Sequence, residues 1–529
     1  MPDLPTITLD TTLADLYRRA SPKNAHKRIA QILCGINSGS ELSANVPRNA
    51  KYLYQDSPFN TVPKEGSNGA SGDKEQQQEL AVKYLSLIPQ RDAFISGDTA
   101  VVLFNIDETD KQKAHDRREA ERTISVLAKG QRPDLIFCPG PSRIPIKEAG
   151  IDLIAYKLVL DGLEDYDLIV PPETHWFLNS KAALAQSGLP TPKSKIVEID
   201  GLAGEARLCC TSCSGDVAEF VIPQACTGSR GEWLERQSEK IYADLKAHPL
   251  PFVLKNQQTF GGAGTYIVST EEEREKVVKD FRDGILRKLL SSVTESNVHL
   301  RPAALILSDL VRDPIGDYGL TFFVTDDGSD PIFLAASEQM IDDDKAWIGS
   351  TINYARQDQL KEKFGPLVRK IAEWLRSHDY VGPAGADVLE TAPSKSKPAT
   401  NGHKTNGHGT NGHAVNGNAS AEEDFSNFHI VDLNIRTSGS MCLPLLKGHF
   451  TSRGLWSGSS FSISSKQGRE EFIESFRYDF EAGRMCIISW YEDPDTGVSL
   501  ADVAVGAEDQ KGLRKAMKRV RDATEGVTF

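Results

Sequence analysis

Short apolar runs bounded by polar, glycine and proline residues recur through the first third of the chain. Ala100–Phe104, Asp134–Cys138 and Asp167–Val170 each read as a buried strand. The charged stretch 111–130, between the first two, reads as a helix. Strands alternating with helices predict an α/β fold with a parallel sheet. Asn179 or Ser180 can cap a short Ala-rich helix that Gly188 ends. Later the period changes. Phe364, Leu367, Val368, Ile371, Trp374 and Leu375 recur at i, i+3, i+4 and i+7, which predicts a helix over 361–380 with this face in the core. The runs 485–491 and 498–505 flank Glu-Asp-Pro-Asp-Thr-Gly and predict a hairpin, followed by a basic helix with a solvated face.

Residues 428–436 alternate. Val431, Leu433 and Ile435 point to one side, and Asp432, Asn434 and Arg436 to the other. Aspartate and asparagine supply hard oxygen ligands suited to Mg²⁺ beside phosphate oxygens. Arg436 can neutralise a transferring phosphoryl group or an acyl phosphate. Upstream, Pro-Phe-Val-Leu leads into Lys255, then Gly261, Gly262 and Gly264, then the apolar run 265–268. Glycines let backbone N–H groups turn toward an anion. No Gly-Lys-Ser/Thr follows, so this is not a Walker loop. Taken singly, each motif also fits a solvated strand face or a tight hairpin.

Asp387 lies in a short strand, 386–390, ahead of a low-complexity insert, 391–427, in which Asn-Gly-His repeats place His403, His408 and His413. The insert reads as a disordered loop rather than a metal site. Doubling a loop costs only about 0.6 kcal/mol, so 386–390 and 428–435 can still pair antiparallel across it. Asp387 and Asp432 would then repel unless a cation lay between them.

With 529 residues the chain is long enough for several domains. A 39% hydrophobic and 26% charged composition is that of a soluble globular protein. A formal charge of −13 argues against a general nucleic-acid binder. The first residues lack the apolar core of a signal peptide, and no stretch approaches the roughly 18 apolar residues of a membrane span, so a cytoplasmic location is expected. Eight cysteines in such a chain fit a reducing compartment. Four of them cluster as Cys209, Cys210, Cys213 and Cys226. The Cys-x-x-Cys pair lacks a second close pair, so these read as thiols, with a structural metal as the other option.

The ordered set resembles the ATP-grasp superfamily of carboxylate–amine and carboxylate–thiol ligases over about residues 176–447. Asn-Ser-Lys181 before Gly-Leu-Pro-Thr-Pro matches one family lysine, and Lys255 before Gly261–Gly264 matches the other. The run 304–310 looks like the adenine hinge, with Ser308, Asp309 and Leu310 where the family usually carries a glutamate. Asp317 stands as the ribose candidate on spacing, and Asp387, Asp432 and Asn434 fit the metal ligands. Trp347, Arg301 and Arg312 are candidates for an acceptor pocket. The whole chain looks most like the fungal ATP-grasp proteins named for expression in solid-state culture.

The resemblance implies a Rossmann-like pre-ATP-grasp domain over 1–175, an ATP-grasp domain of α+β character over 176–447, and a small α/β module over 448–529. It implies ATP with Mg²⁺, for which Mn²⁺ can substitute. The implied partners are small-molecule carboxylate and amine substrates, with no nucleic acid, no membrane, and a homodimer as one assembly. Lys255 and Arg436 would be catalytic, through charge neutralisation of an acyl-phosphate route. Two alternatives stay open: a nucleotide-binding regulatory protein without turnover, and a carboxylase, against which the lack of a Met-Lys-Met signature counts.

Overall fold

The computed structural model describes residues 4–33, 43, 45–54, 87, 89–105, 109–214, 221–259, 264–341, 347–393 and 424–524. Among these the chain forms three sheets. The first holds β1 (Ile29–Ile32), β2 (Ala100–Phe104), β3 (Asp134–Cys138) and β4 (Leu153–Tyr156), all parallel in the order β3-β2-β1-β4. Thr109 caps the expected helix, Asp110–Ser125, by accepting from the Gln112 amide. The stretch 167–170 forms no strand; a single parallel bridge joins Leu168 to Ile154. Pro171 and Pro172 follow at once. They lack the N–H groups that a longer ladder needs, and Pro172 instead opens the helix Pro172–Asn179.

The second sheet is antiparallel, ordered β5-β8-β6-β7, from β5 (Ser194–Val197), β6 (Phe252–Asn256), β7 (Thr265–Val268) and β8 (Leu305–Asp309). Its core includes Phe252, Leu254, Leu305 and Leu307, with Trp233 and Leu234 of the helix Ser229–Ala247.

The third sheet is antiparallel with eight strands. These are β9 (Gly316–Val324), β10 (Ile332–Ile341), β11 (Trp347–Asn353), β12 (Gly382–Glu390), β13 (Phe428–Asn434), β14 (Ser457–Ser465), β15 (Met485–Glu492) and β16 (Ser499–Ala507). The order is β13-β12-β9-β10-β11-β14-β16-β15. The strands expected in a small C-terminal module therefore lengthen the central sheet, because β14 pairs with β11. Side chains alternate across β9. Phe322 packs under the helix Gln357–Arg376 with Phe364, Leu367, Val368, Ile371 and Leu375, whereas Phe323 joins Tyr17 and the N-terminal region on the other face. Trp374, expected in the core, is half-buried beside it. Among the described residues no helix is long and apolar enough to cross a membrane.

Candidate functional site

The second and third sheets meet where β6 reaches β13. Lys255 Nζ donates to the Val431 carbonyl at 2.5 Å. That carbonyl sits in a bulge. Asp387 pairs with Asp432, but the next pair is Val388 with Ile430, so Val431 is the extra residue. The bulge breaks the expected alternation. It buries Ile430 and Leu433 on one side although they are three residues apart, and leaves Val431 half-buried.

Lys181 arrives from another direction. Ser180 caps the helix Lys181–Gln186 by accepting from the Ala183 amide at 3.1 Å. Gln257, just past β6, holds the same turn. Its carbonyl accepts from the Lys181 amide at 3.1 Å and its Oε1 from the Ala182 amide at 3.0 Å. So fixed, the buried Lys181 side chain ion-pairs with Asp432.

A hydrogen-bond chain runs along the polar face of β13. Asn434 Nδ2 donates to Asp387 Oδ2 at 3.3 Å, and Arg436 Nη2 donates to Asn434 Oδ1 at 2.8 Å. Arg436 Nη1 donates to Asn179 Oδ1 at 2.9 Å. The two aspartates of the ladder are driven apart electrostatically. Burial, then the charges of Asp432 and Asp317, push the Asp387 carboxyl up to about 7 against the pull of Lys181. Burial also acts on Asp432, but Lys181, Lys255 and Arg436 outweigh it and hold that carboxyl below its ordinary value. Burial lowers the Lys255 ammonium, opposed by Asp432 and Asp387 and reinforced by Lys181.

Lys181, Lys255, Asp387, Asp432, Asn434 and Arg436 are thus brought together. Gly264 closes the β6–β7 hairpin with φ +67°, where a Cβ would stand 2.7 Å from Asn256 Nδ2. Gly261 and Gly262 lie outside the described residues, as do His403, His408 and His413. Asp317 is on β9, two residues before Gly319, which pairs with Asp387; it therefore neighbours the acidic pair. The Ser308 hydroxyl lies 2.8 Å from that of Ser194, across the β5–β8 pairing. Asp309 is exposed at the end of β8, and half-buried Leu310 starts the link to β9. Arg301 ion-pairs with Glu198 in the smaller antiparallel lobe, Arg312 is exposed, and Trp347 begins β11. An apolar cavity of about 180 Å³ between Ile7, Val126, Met485 and Ile487 shares no lining residue with this site.

No protein-family model matches the sequence, and no curated protein matches it. Among solved structures the chain is similar to an N5-carboxyaminoimidazole ribonucleotide synthetase in complex with ADP. Identity is 12%, TM-score 0.45, and 99% of each chain is covered. The enzyme of that name from Thermus thermophilus is 12% identical with TM-score 0.44, over 83% of this chain and 97% of that one. An N5-carboxyaminoimidazole synthase from Aspergillus clavatus, in complex with ADP and 5-aminoimidazole ribonucleotide, is 10% identical with TM-score 0.41, over 94% of this chain and 99% of that one.

Two polar groups have roles at the site that the sequence did not announce. Asn179 is no cap. Its Oδ1 accepts from both Arg436 and the Ile435 amide, at 2.9 and 3.1 Å, and its Nδ2 donates to the His175 carbonyl at 2.9 Å. The only sequence signal was its position two residues before Lys181. Lys157, at the end of β4, is buried in a 2.6 Å ion pair with Asp92. Burial brings its ammonium down to about 8; Asp92 opposes this, while Arg91 and Arg436 add to it.

Proposed function

We propose that this protein is an ATP-dependent ligase of the ATP-grasp type. A substrate carboxylate would attack the γ-phosphate of ATP, releasing ADP and leaving an acyl phosphate. An amine of an amino acid or small peptide would then displace phosphate and form the amide. The observation that carries this reading is the direct pairing of Asp387 with Asp432 beside Lys181, Lys255 and Arg436.

Two facing carboxylates fit Mg²⁺, and such an ion would relieve the push that burial and then the facing Asp432 put on Asp387; Asn434 would add its amide oxygen on releasing Arg436. Asp387, Asp432 and Asn434 would hold it, and it would supply positive charge to phosphate oxygens. Lys181 and Lys255 would exchange their present partners, Asp432 and the Val431 carbonyl, for phosphate oxygens. Arg436, oriented by Asn179 and Asn434, would neutralise the acyl phosphate. Ser308–Leu310 would meet the adenine through backbone groups, and Asp317 would stand behind the metal ligands.

The test is release of ADP and phosphate over pooled carboxylates and amines, with nucleotide products separated by chromatography. The expected result is equimolar ADP and phosphate; AMP as the product overturns the acyl-phosphate route. Arg436→Ala should slow turnover about 10²–10³-fold while nucleotide still binds. The Lys181–Asp432 ion pair, which neutralises the cleft internally, favours a second reading as a nucleotide-binding regulatory protein. Tight Mg·ATP binding without turnover across the panel would select it.

A further inference from the structure

The smaller antiparallel lobe carries a separate set of ligand atoms. Cys209 and Cys210 lie between the turns Ala206–Leu208 and Thr211–Cys213, Cys213 ends the second, and Cys226 precedes the helix Ser229–Ala247. The four sulfurs all lie within 4.8 Å of one another. Cys226 Sγ is 3.6 Å from Cys209 Sγ, 3.8 Å from Cys210 Sγ and 3.5 Å from Cys213 Sγ. A disulfide would bring two sulfurs to about 2.05 Å, and all four are free. A tetrahedron of sulfurs around zinc, with Zn–S bonds of about 2.3 Å, has edges of about 3.8 Å. The three separations from Cys226 match that edge.

The backbone is shaped around the sulfurs. A Cβ on Gly228 would stand 2.7 Å from Cys209 Sγ, and one on Gly231 would stand 2.3 Å from the Cys226 carbonyl oxygen. Only glycine at these two positions lets the first turn of the helix approach so closely. Gly228 is also the N-cap and has no side chain to offer, so the Arg230 amide donates to Cys209 Sγ at 3.4 Å. The positive end of a long helix thus faces the cluster. Between Gly204 and Ser214 Cys213 is the one buried residue, and Leu208 is 78% exposed. This segment has almost no apolar core of its own, the circumstance in which a metal supplies the missing cross-links.

We propose that Cys209, Cys210, Cys213 and Cys226 form a structural zinc site that ties this segment to the start of the helix Ser229–Ala247. Four protein thiolates complete the tetrahedron and leave no position for water or substrate, so the site is structural and separate from the carboxylate cleft. Binding displaces one proton from each thiol, which makes it weaker in acid.

The test uses the full chain purified under reducing conditions without chelator. Elemental analysis should find stoichiometric zinc, and Co²⁺ in its place should give the thiolate charge-transfer and intense d–d absorption of a tetrahedral sulfur site. Cys213→Ser and Cys226→Ser should abolish stoichiometric zinc, whereas Asp432→Asn should keep it. Because the cysteine variants can fail to fold, the wild-type chain supplies a second readout: the four cysteines should resist alkylation until a zinc chelator is added. No zinc with no tetrahedral cobalt spectrum, alkylation indifferent to the chelator, or zinc lost in Asp432→Asn would each overturn the proposal.

Discussion

At Asp387 the neighbourhood, more than the side chain, decides the charge. Burial and the facing Asp432 raise its carboxyl from 3.8 to about 7. A raised carboxyl binds its proton in the folded state at pH values where the unfolded chain has released it. Its stabilising effect is therefore present in acid and lost as pH climbs from the ordinary value to about 7. Asp432, held low by the lysines, has the opposite sign and loses its contribution as pH falls. Asp387→Asn should flatten the first dependence. In EDTA the variant should melt above the wild type beyond neutrality and near it in mild acid, as read by thermal unfolding. Mg²⁺ should raise the wild-type midpoint and leave the variant's unchanged. A variant that melts lower above neutrality would refute the like-charge account. The residue types at this site were legible because their chemistry is local. The role of Asn179 was not, since it depends on Arg436, which lies just past β13 and 257 positions away in sequence.

Among elements, the β12–β13 ladder is the most instructive. Its pairing runs to Glu390 with Phe428, and the Thr391 amide then donates to the Asn427 carbonyl at 2.9 Å, so the ladder ends in a closed hydrogen bond. The register is carried by Leu433 and Ile430 packing beneath the helix Gln357–Arg376. Replacing residues 394–423 with a short turn should therefore keep activity and Mg²⁺ binding. Shortening the closure several-fold should stabilise the protein by about 1–2 kcal/mol, measured by urea unfolding. A fall in stability would mean that the insert makes contacts of its own. The pairing of the two aspartates could be foreseen from strand patterning. The bulge at Val431 could not, because it answers to Lys255 and to the packing of Ile430, both set outside the strand.

Across the whole molecule one core joins segments that the sequence separates widely. Leu13 and Tyr17 near the N-terminus pack with Phe323 and Ile352 of the central sheet and with Cys486, Ile488 and Ala504 near the C-terminus. A chain ending at Lys447 would lose the last three and leave the β11 edge unpaired. Truncating a large buried side chain costs about 2–5 kcal/mol, against a total stability of about 5–15 kcal/mol. The shortened chain should fail to fold, shown by loss of near-ultraviolet circular dichroism and rapid proteolysis. A stable, nucleotide-binding product would establish 448–529 as an independent module.

Local elements and the chemistry they carry were legible in the sequence: a helix expected over 361–380 and found over 357–376, the terminal hairpin, a cap at Asn179 or Ser180 that proves to be Ser180, and the lysines and carboxylates of the cleft. Those follow from side-chain periodicity, backbone sterics and residue type, which act over a few positions. Long-range packing settled the rest: β14 joins β11, Asn179 holds Arg436, Val431 bulges, and the sulfurs of four cysteines over residues 209–226 converge. Such outcomes depend on which distant surfaces bury one another. The entropy of closing the intervening loops varies with their length and hardly with their sequence, so no local pattern announces them.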